Sequence, residues 1–428
     1  MKTKNLFSRT LLSFFLIGAN AAHANMLPLF EFDLAKLQSS TFTPQNPDQI
    51  KKFRVLIFPH NGKYTVPQGL DRTVSSVTIT SPKNCEGRQA VKSELKEWSA
   101  TGPILNSSAS ITFRITQPGS FYYHCSEPFT VHRSKNLTSY EYSGDFVAIV
   151  DSAFVKIINL IEPDLYLKGV VPTEVESTWP ADTLQAQAVA ARTYAWWTVL
   201  QTKSSDLFLN QNETYDIDDT VMYQAYTGKT KRQTSSDRAV DATAGETLRY
   251  HGDFIESFFA ADAAGFTERS EQVFGLKLPY CVSKKEVYDV TKTKTQWSLS
   301  LSLKTLKNML EPGSPDFDIL PLSGMGDLKN IQVLAKNRDK SGRATQVTVT
   351  TTTGSFTIPA PDFRFLTKIR STLFNVKVVD NQVEFEGKGY GHGVGMSQIG
   401  ALQTVQQLHW NYKDVLKFYY PETDLVKK

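Results

Sequence analysis

The chain has 428 residues, 40% hydrophobic and 21% charged, with a formal net charge of +4. This is globular composition, long enough for two or three domains. No run of about eighteen apolar residues lies beyond the first 25 positions, so no internal membrane span is expected.

Residues 1–24 read as a secretory signal: Lys2, Lys4 and Arg9 precede an apolar stretch from Leu11 to Ala19, then Ala22-His23-Ala24 forms a small-residue cleavage site. Its removal takes three positive charges and no acid, so +4 falls to about +1. The mature protein is nearly neutral. Bulk-charge binding of a polyanion is excluded, and no basic patch offers nucleic-acid binding. An export signal implies an oxidising location, periplasmic or extracellular. Of the three cysteines, Cys85 and Cys125 can pair, which leaves Cys281 buried or free.

Residues 25–140 are rich in short β-like runs, such as Phe53–Phe58, Val77–Thr80 and Ile111–Ile115, and read as a β-rich N-terminal domain or lobe. His124, Cys125 and His132 cluster at its end, but the methionine a blue-copper loop needs is missing. A strand end with a disulfide is the reading there, and no metal is expected.

From Ser143 the pattern changes. Phe146–Val150 and Val155–Leu160 form a hairpin, Glu162-Pro163-Asp164 opens a short helix, and Trp179-Pro180-Ala181-Asp182 opens a long one to about Leu200. Leu184, Ala188, Ala191 and Ala195 give that helix a stripe of mostly small residues, so it is expected to be central. After Gly245 strands return, at Thr247–Tyr250, Phe254–Phe259, Ile331–Ala335, Gln346–Thr352 and Ser355–Ile358, and Leu416–Pro421 closes the fold. Strands and helices come in blocks, so the fold class is α+β.

Two blocks carry candidate chemistry. In the first, Pro172 is expected to bend the chain at Val171, with Glu174 just after it. Arg192 lies within the Ala-rich helix and needs a carboxylate partner: Glu174, Asp216, Asp218, Asp219 or Asp262. Paired directly with Glu174 it would lower that carboxyl's pKa; one shell out it would orient substrate. The second block has glycines at 387, 389, 391, 393 and 395, which leave one side of the backbone open to a flat ligand, with Tyr390 and His392 projecting and Ser397 and Gln398 opening a helix. It is not a phosphate-binding loop, and the chain has no G-x-S-x-G, H-E-x-x-H or paired C-x-x-C motif.

Leu165–Glu174, Trp179-Pro180, Leu184–Tyr194, Gly389–Gln398 and Tyr412–Pro421, in that order, resemble the SpoIID/LytB family of stage II sporulation protein D and amidase-enhancer proteins. Tyr223–Tyr226 and Phe258–Glu268 match more weakly. The resemblance covers about residue 142 to the end, so residues 141–428 are expected to form one SpoIID-like domain. It implies a peptidoglycan lytic transglycosylase that cuts MurNAc–GlcNAc bonds of peptide-stripped glycan strands, with Glu174 as sole acid/base and Arg192 as its positioner. Because the sugar's own C6 hydroxyl is the nucleophile, one carboxyl group suffices. The substrate-binding set it suggests is Tyr223, Gln224, Tyr390, His392, Ser397 and Gln398, with Trp179 a further stacking group. Some members hold zinc near Phe258–Glu268. This chain has no His or Cys between His251 and Cys281, and Ala263-Ala264-Gly265 replaces the usual Ser-Gly-Gly, so neither metal nor cofactor is expected. Two other readings stay open: a non-catalytic peptidoglycan-binding enhancer of an N-acetylmuramoyl-L-alanine amidase, and a two-carboxylate muramidase with Asp216 or Asp262 opposite Glu174.

Overall fold

A computed structural model of the protein describes residues 47–57, 76–93, 97–132, 139–152, 154–204, 214–221, 223–292, 295–313, 322 and 324–427. The expected signal segment lies outside them.

A nine-stranded sheet organises the first half. Its order is β6 (Tyr140–Tyr142), β5 (Phe129–His132), β2 (Ser76–Lys92), β4 (Gly119–Cys125), β7 (Asp145–Val150), β8 (Val155–Ile161), β1 (Phe53–Ile57) and β9 (Ile217–Asp218), with β3 (Trp98–Arg114) pairing β2. The β7–β8 hairpin is central and β-branched, and both its faces are buried. Phe146, Ala148, Ile157 and Ile161 face the main core; Val147, Ile158 and Leu160 face a smaller cluster with Leu56 and Tyr215. Cys85 and Cys125, opposite each other on β2 and β4, form a disulfide, and Cys281 is buried and free.

This sheet runs across residue 140. β4 pairs β7, β1 pairs β8, and residues from both sides of the boundary share one core. The reason is pairing: β1 needs two neighbours, and both come from beyond residue 150.

Helix α1 (Pro163–Glu174) packs on the sheet through Tyr166, Leu167, Val170 and Val171. It runs on through Pro172, so the expected bend at Val171 is absent. Proline in the last turn costs one hydrogen bond, and the Val175 N–H still reaches the Val171 carbonyl. Helix α2 (Ala181–Ser204) is central, as its small-residue stripe suggested. Leu184, Ala188, Ala191 and Ala195 face the main core, while Ala186, Val189 and Ala190 face a second core with Leu248, Met396, Val415 and Tyr420. Helix α3 (Thr234–Ala242) leads into β10 (Glu246–Tyr250), which pairs β11 (Asp253–Phe254) and the terminal β20 (Asp424–Lys427).

A separate core forms within residues 141–428. After β12 (Phe259–Ala260) and the short helix α4 (Ser270–Phe274), the chain builds a lobe with its own core. One three-stranded sheet joins β13 (Gln296–Ser302), β18 (Gln382–Lys388) and β17 (Phe374–Val379); another joins β14 (Leu328–Gln332), β15 (Gln346–Thr351) and β16 (Ser355–Pro359). Helices α5 (Leu303–Leu310) and α6 (Ala360–Thr367) complete it, burying Leu306, Leu310, Val347, Val349, Phe363 and Phe385. The chain then returns through the glycine-rich loop to β19 (Met396–Ser397), which pairs in parallel with β12, and to helices α7 (Gln398–Leu408) and α8 (Tyr412–Tyr419).

Candidate functional site

Glu174 is the last residue of α1. Its position follows from Gly169 one face earlier: a Cβ there would stand 2.5 Å from the Gly228 carbonyl oxygen, so helix and segment 225–228 approach as only glycine allows. Thr173 Oγ1 and Thr227 Oγ1 clasp across the same contact at 2.7 Å. The approach carries the Ala225 N–H to 2.7 Å from Glu174 Oε1. From the other side comes Gln398, first residue of α7, whose amide acts to lower the Glu174 pKa and donates at 3.4 Å to Gln187 Oε1 on α2. Gln398 is held by its neighbour: Ser397 Oγ accepts the N–H groups of Gly400 at 3.0 Å and Ala263 at 3.1 Å, capping α7 and tying it to the 262–265 loop.

Burial raises the Glu174 pKa above the usual carboxylate value, against the lowering effect of the Ala225 N–H, the Gln398 amide and the Lys231 charge. The carboxyl is therefore held by the Ala225 N–H, with the Gln398 amide beside it, in a setting that favours its protonated form.

Arg192 is elsewhere. Its guanidinium is buried and fully engaged: Nε donates to Asp164 Oδ1 at 2.9 Å, Nη1 to Thr243 Oγ1 and the Glu246 carbonyl, and Nη2 to the Val240 carbonyl. Asp164 opens α1 and Glu174 ends it, so the two ends lie about 15 Å apart at 1.5 Å per residue. Arg192 joins α1, α3 and β10, and none of its hydrogen bonds reaches Glu174. None of the five acids named as its partner fills that role. Asp216 instead forms a buried pair with Arg54, its Oδ1 accepting Nε at 3.0 Å, and so cannot serve as a second acid. Asp262 caps the Ala264 N–H at 2.8 Å.

The glycine-rich loop also departs from expectation. Its glycines serve packing. A Cβ on Gly395 (φ 71°) would collide with the Phe258 carbonyl, and one on Gly393 (φ 77°) would meet the Arg343 guanidinium at 2.6 Å. The side supposed open to a ligand is thus filled by the protein at these two positions. His392 Nδ1 accepts the Val394 N–H at 3.1 Å, and its ring stands edge-on to Phe258 and Phe274. Burial lowers its pKa to about 3, so it is neutral near pH 7 and fills a structural place. Tyr390 stays 57% exposed and can meet a ligand. Tyr223 and Trp179 are half-buried against the main core. Gln224 is buried, and neither atom of its amide has a hydrogen-bond partner among the described residues.

Three features escaped the sequence reading. Ala225 acts through its backbone, which no side-chain pattern reveals. Gln187 was visible as a polar residue in an alanine-rich stretch. Glu286 is buried, and its carboxylate accepts from Tyr419, Tyr288 and the Gly265 N–H at 2.7–2.8 Å, pinning α8 to the loop beside the site. Near the end of the first sheet, Cys125 is committed to its disulfide, His124 bonds Asp145 and His132 bonds Thr80. Among the described residues no group of three His, Cys, Asp or Glu could hold a metal ion.

Two family models match the chain. One, described as "Stage II sporulation protein", covers residues 152–250 and so holds Glu174, Gln187, Arg192 and Ala225. The other, a "Domain of unknown function (DUF8618)", covers 276–395, which includes the inserted lobe and all five glycines of the glycine-rich loop. An uncharacterised protein of Brachyspira hyodysenteriae is 35% identical over 302 residues, 68% of this chain and 73% of that protein. The amidase enhancer of Bacillus subtilis is 30% identical over 61% of this chain, which spans only 40% of that longer protein. Stage II sporulation protein D of Bacillus subtilis is 27% identical over 61% of this chain and 73% of its own length. With the α+β architecture and the ordered motifs around Glu174 and Gln398, these matches place the chain in the SpoIID/amidase-enhancer family.

Proposed function

We propose that the protein is an exported cell-wall protein that binds peptidoglycan glycan strands and enhances a partner N-acetylmuramoyl-L-alanine amidase. The observation that carries this reading is the 30% identity to an amidase enhancer over 61% of the chain. The site agrees with it: Arg192 is locked into the core, away from Glu174, and Asp216 is neutralised by Arg54. What remains around Glu174 is a set of hydrogen-bonding groups, with exposed Tyr390 on the neighbouring loop, suited to holding sugars.

A second reading rests on one specific observation, the burial that raises the Glu174 pKa. A protonated Glu174 can act as the acid of a lytic transglycosylase. It would give its proton to the glycosidic oxygen as the bond from MurNAc C1 breaks, then take the C6 hydroxyl proton as C1–O6 closes the 1,6-anhydro ring. Ala225 and Gln398 would hold the carboxylate between the two steps.

One experiment separates the two. Wild type and Glu174→Gln are incubated with peptide-free glycan, and separately with intact peptidoglycan plus a purified amidase. The enhancer reading expects equal stimulation of peptide release by both proteins and no anhydro-ended sugars by mass spectrometry. Anhydro ends made by wild type and lost in the variant would replace it with the transglycosylase.

A further inference from the structure

Where the inserted lobe meets the core, a cleft of about 540 Å³ opens, lined by Arg269, Val282 and Ser283 on the core side and by Arg338, Asp339 and Lys340 on the lobe side. Its cations are poorly neutralised. Lys340 is exposed and makes no ion pair among the described residues. Arg338 gives its hydrogen bonds to neutral acceptors, the Gly342 and Phe374 carbonyls at 2.9 Å and Asn375 Oδ1 at 3.1 Å, so its charge is not cancelled. Arg269 is exposed, with Glu271 at 3.3 Å.

The one acid in the lining is turned inward. Asp339 Oδ1 accepts the N–H groups of Ser341 and Arg343 and the Ser341 hydroxyl, which also reaches Glu268 Oε2 at 3.3 Å. Behind it lies Arg343, fully buried, which reaches the Ala263 carbonyl at 2.9 Å while its Nε and Nη1 have no hydrogen-bond partner among the described residues. Burial drives Glu268 toward its neutral form, while Asp339, Asp262 and Glu286 act on the Arg343 charge, so the cations left to a ligand are those at the cleft surface, Arg269, Arg338 and Lys340. The result is a concave recess with three cations at its surface, a shape that concentrates their field on a ligand.

The cleft adjoins the site already described. Glu268 donates its N–H to the Gly393 carbonyl at 2.8 Å, so the segment that places Arg269 at the cleft also borders the glycine-rich loop. We propose that the cleft binds a carboxylate of an acidic amino-sugar strand, such as the lactyl group of a muramic acid residue, while the neutral sugars of that strand pass along the loop. This rests on the glycan-binding reading above. A sugar carboxylate suits the cleft better than a phosphate polymer. The cations are few and confined to one recess, and the mature chain has too little net charge to track a long polyanion.

The test is titration calorimetry on the full chain with three probes: an alternating GlcNAc–MurNAc tetrasaccharide, its lactyl methyl ester and a glycerol-phosphate oligomer. Lys340→Glu and Arg269→Gln both alter exposed side chains, and circular dichroism checks their folding. Wild type should bind the free acid about five- to tenfold tighter than the ester at low salt, and the gap should close in Lys340→Glu and near 0.5 M salt. A gap that survives both variants overturns the cleft while leaving glycan binding intact. Tighter binding of the phosphate oligomer than of the tetrasaccharide also overturns it. No binding of acid or ester overturns the glycan reading itself.

Discussion

Glu174 and Arg192 sit in one short block of sequence and end in different physical roles. Glu174 is held by the Ala225 N–H, with the Gln398 amide on its other side. Arg192 has none of its three nitrogens to spare. Arg192→Met should therefore act on stability. It strands the Val240 and Glu246 carbonyls and releases Asp164, for a loss of about 3 kcal/mol, read by urea unfolding. A variant that folds with wild-type stability yet loses glycan binding would return Arg192 to the site. The location of Glu174 was legible from its motif. The partner of Arg192 was not, because Asp164 meets it across two packed helices and several acids nearer the motif looked equally suitable. The glycines at 393 and 395 were read as openness toward a ligand, but their neighbours, Arg343 and Phe258, come from segments 50 and 137 residues earlier. Gly395→Ala puts a methyl group into the Phe258 carbonyl at positive φ and should cost at least about 1–2 kcal/mol in the same assay.

At the scale of elements, the site depends on how two helix ends are fixed. The C-terminus of α1 is set by the close contact at Gly169, and the N-terminus of α7 by the Ser397 cap. Ser397→Ala removes that cap and strands the Ala263 N–H, at a cost of about 1–2 kcal/mol. It should also slacken Gln398, which lowers the Glu174 pKa. The expected outcome is a further rise in the Glu174 pKa, followed by carboxylate NMR; an unchanged value would mean that Gln398 is held by Gln187 alone. Hydrophobic periodicity revealed α2, and β-branched runs revealed the β7–β8 hairpin. Pro172 misled, since a proline in a final turn removes only one hydrogen bond and tertiary packing carries the helix past it.

For the whole molecule, the least legible feature was the lobe between β12 and the glycine-rich loop. Its strands look like those around them, and only its separate core reveals it. Its seam with the core predicts a pH response. Burial, then the hydrogen bond with Asp339, pushes Glu268 up to about 8 from an ordinary 4.5. An acid with a raised folded-state pKa stabilises below its unfolded value and loses that stability as pH rises to its folded value. The Glu268 contribution is thus lost between about pH 4.5 and 8. Asp339, held low by Glu268 and Ser341 despite burial, adds stability above the ordinary aspartate range. Glu268→Gln should flatten the fall in thermal stability across pH 5–8 while keeping the folded lobe. An unchanged pH profile would show that the seam does not titrate there.

The place of β1 between β8 and β9 also governs the order of assembly. Its strand comes from residues 53–57, but its partners come from residues 157–161 and 217–218. A chain emerging N-terminus first must hold β1 unpaired until more than a hundred further residues have appeared. Closing so wide a loop precedes any reward from pairing, which makes this sheet a slow, late event. Until then an apolar strand, buried at every position in the native state, stands open to other chains. A holding chaperone is needed most over that interval, and a chain stopped near residue 150 should be recovered as aggregate, not as a free β-domain.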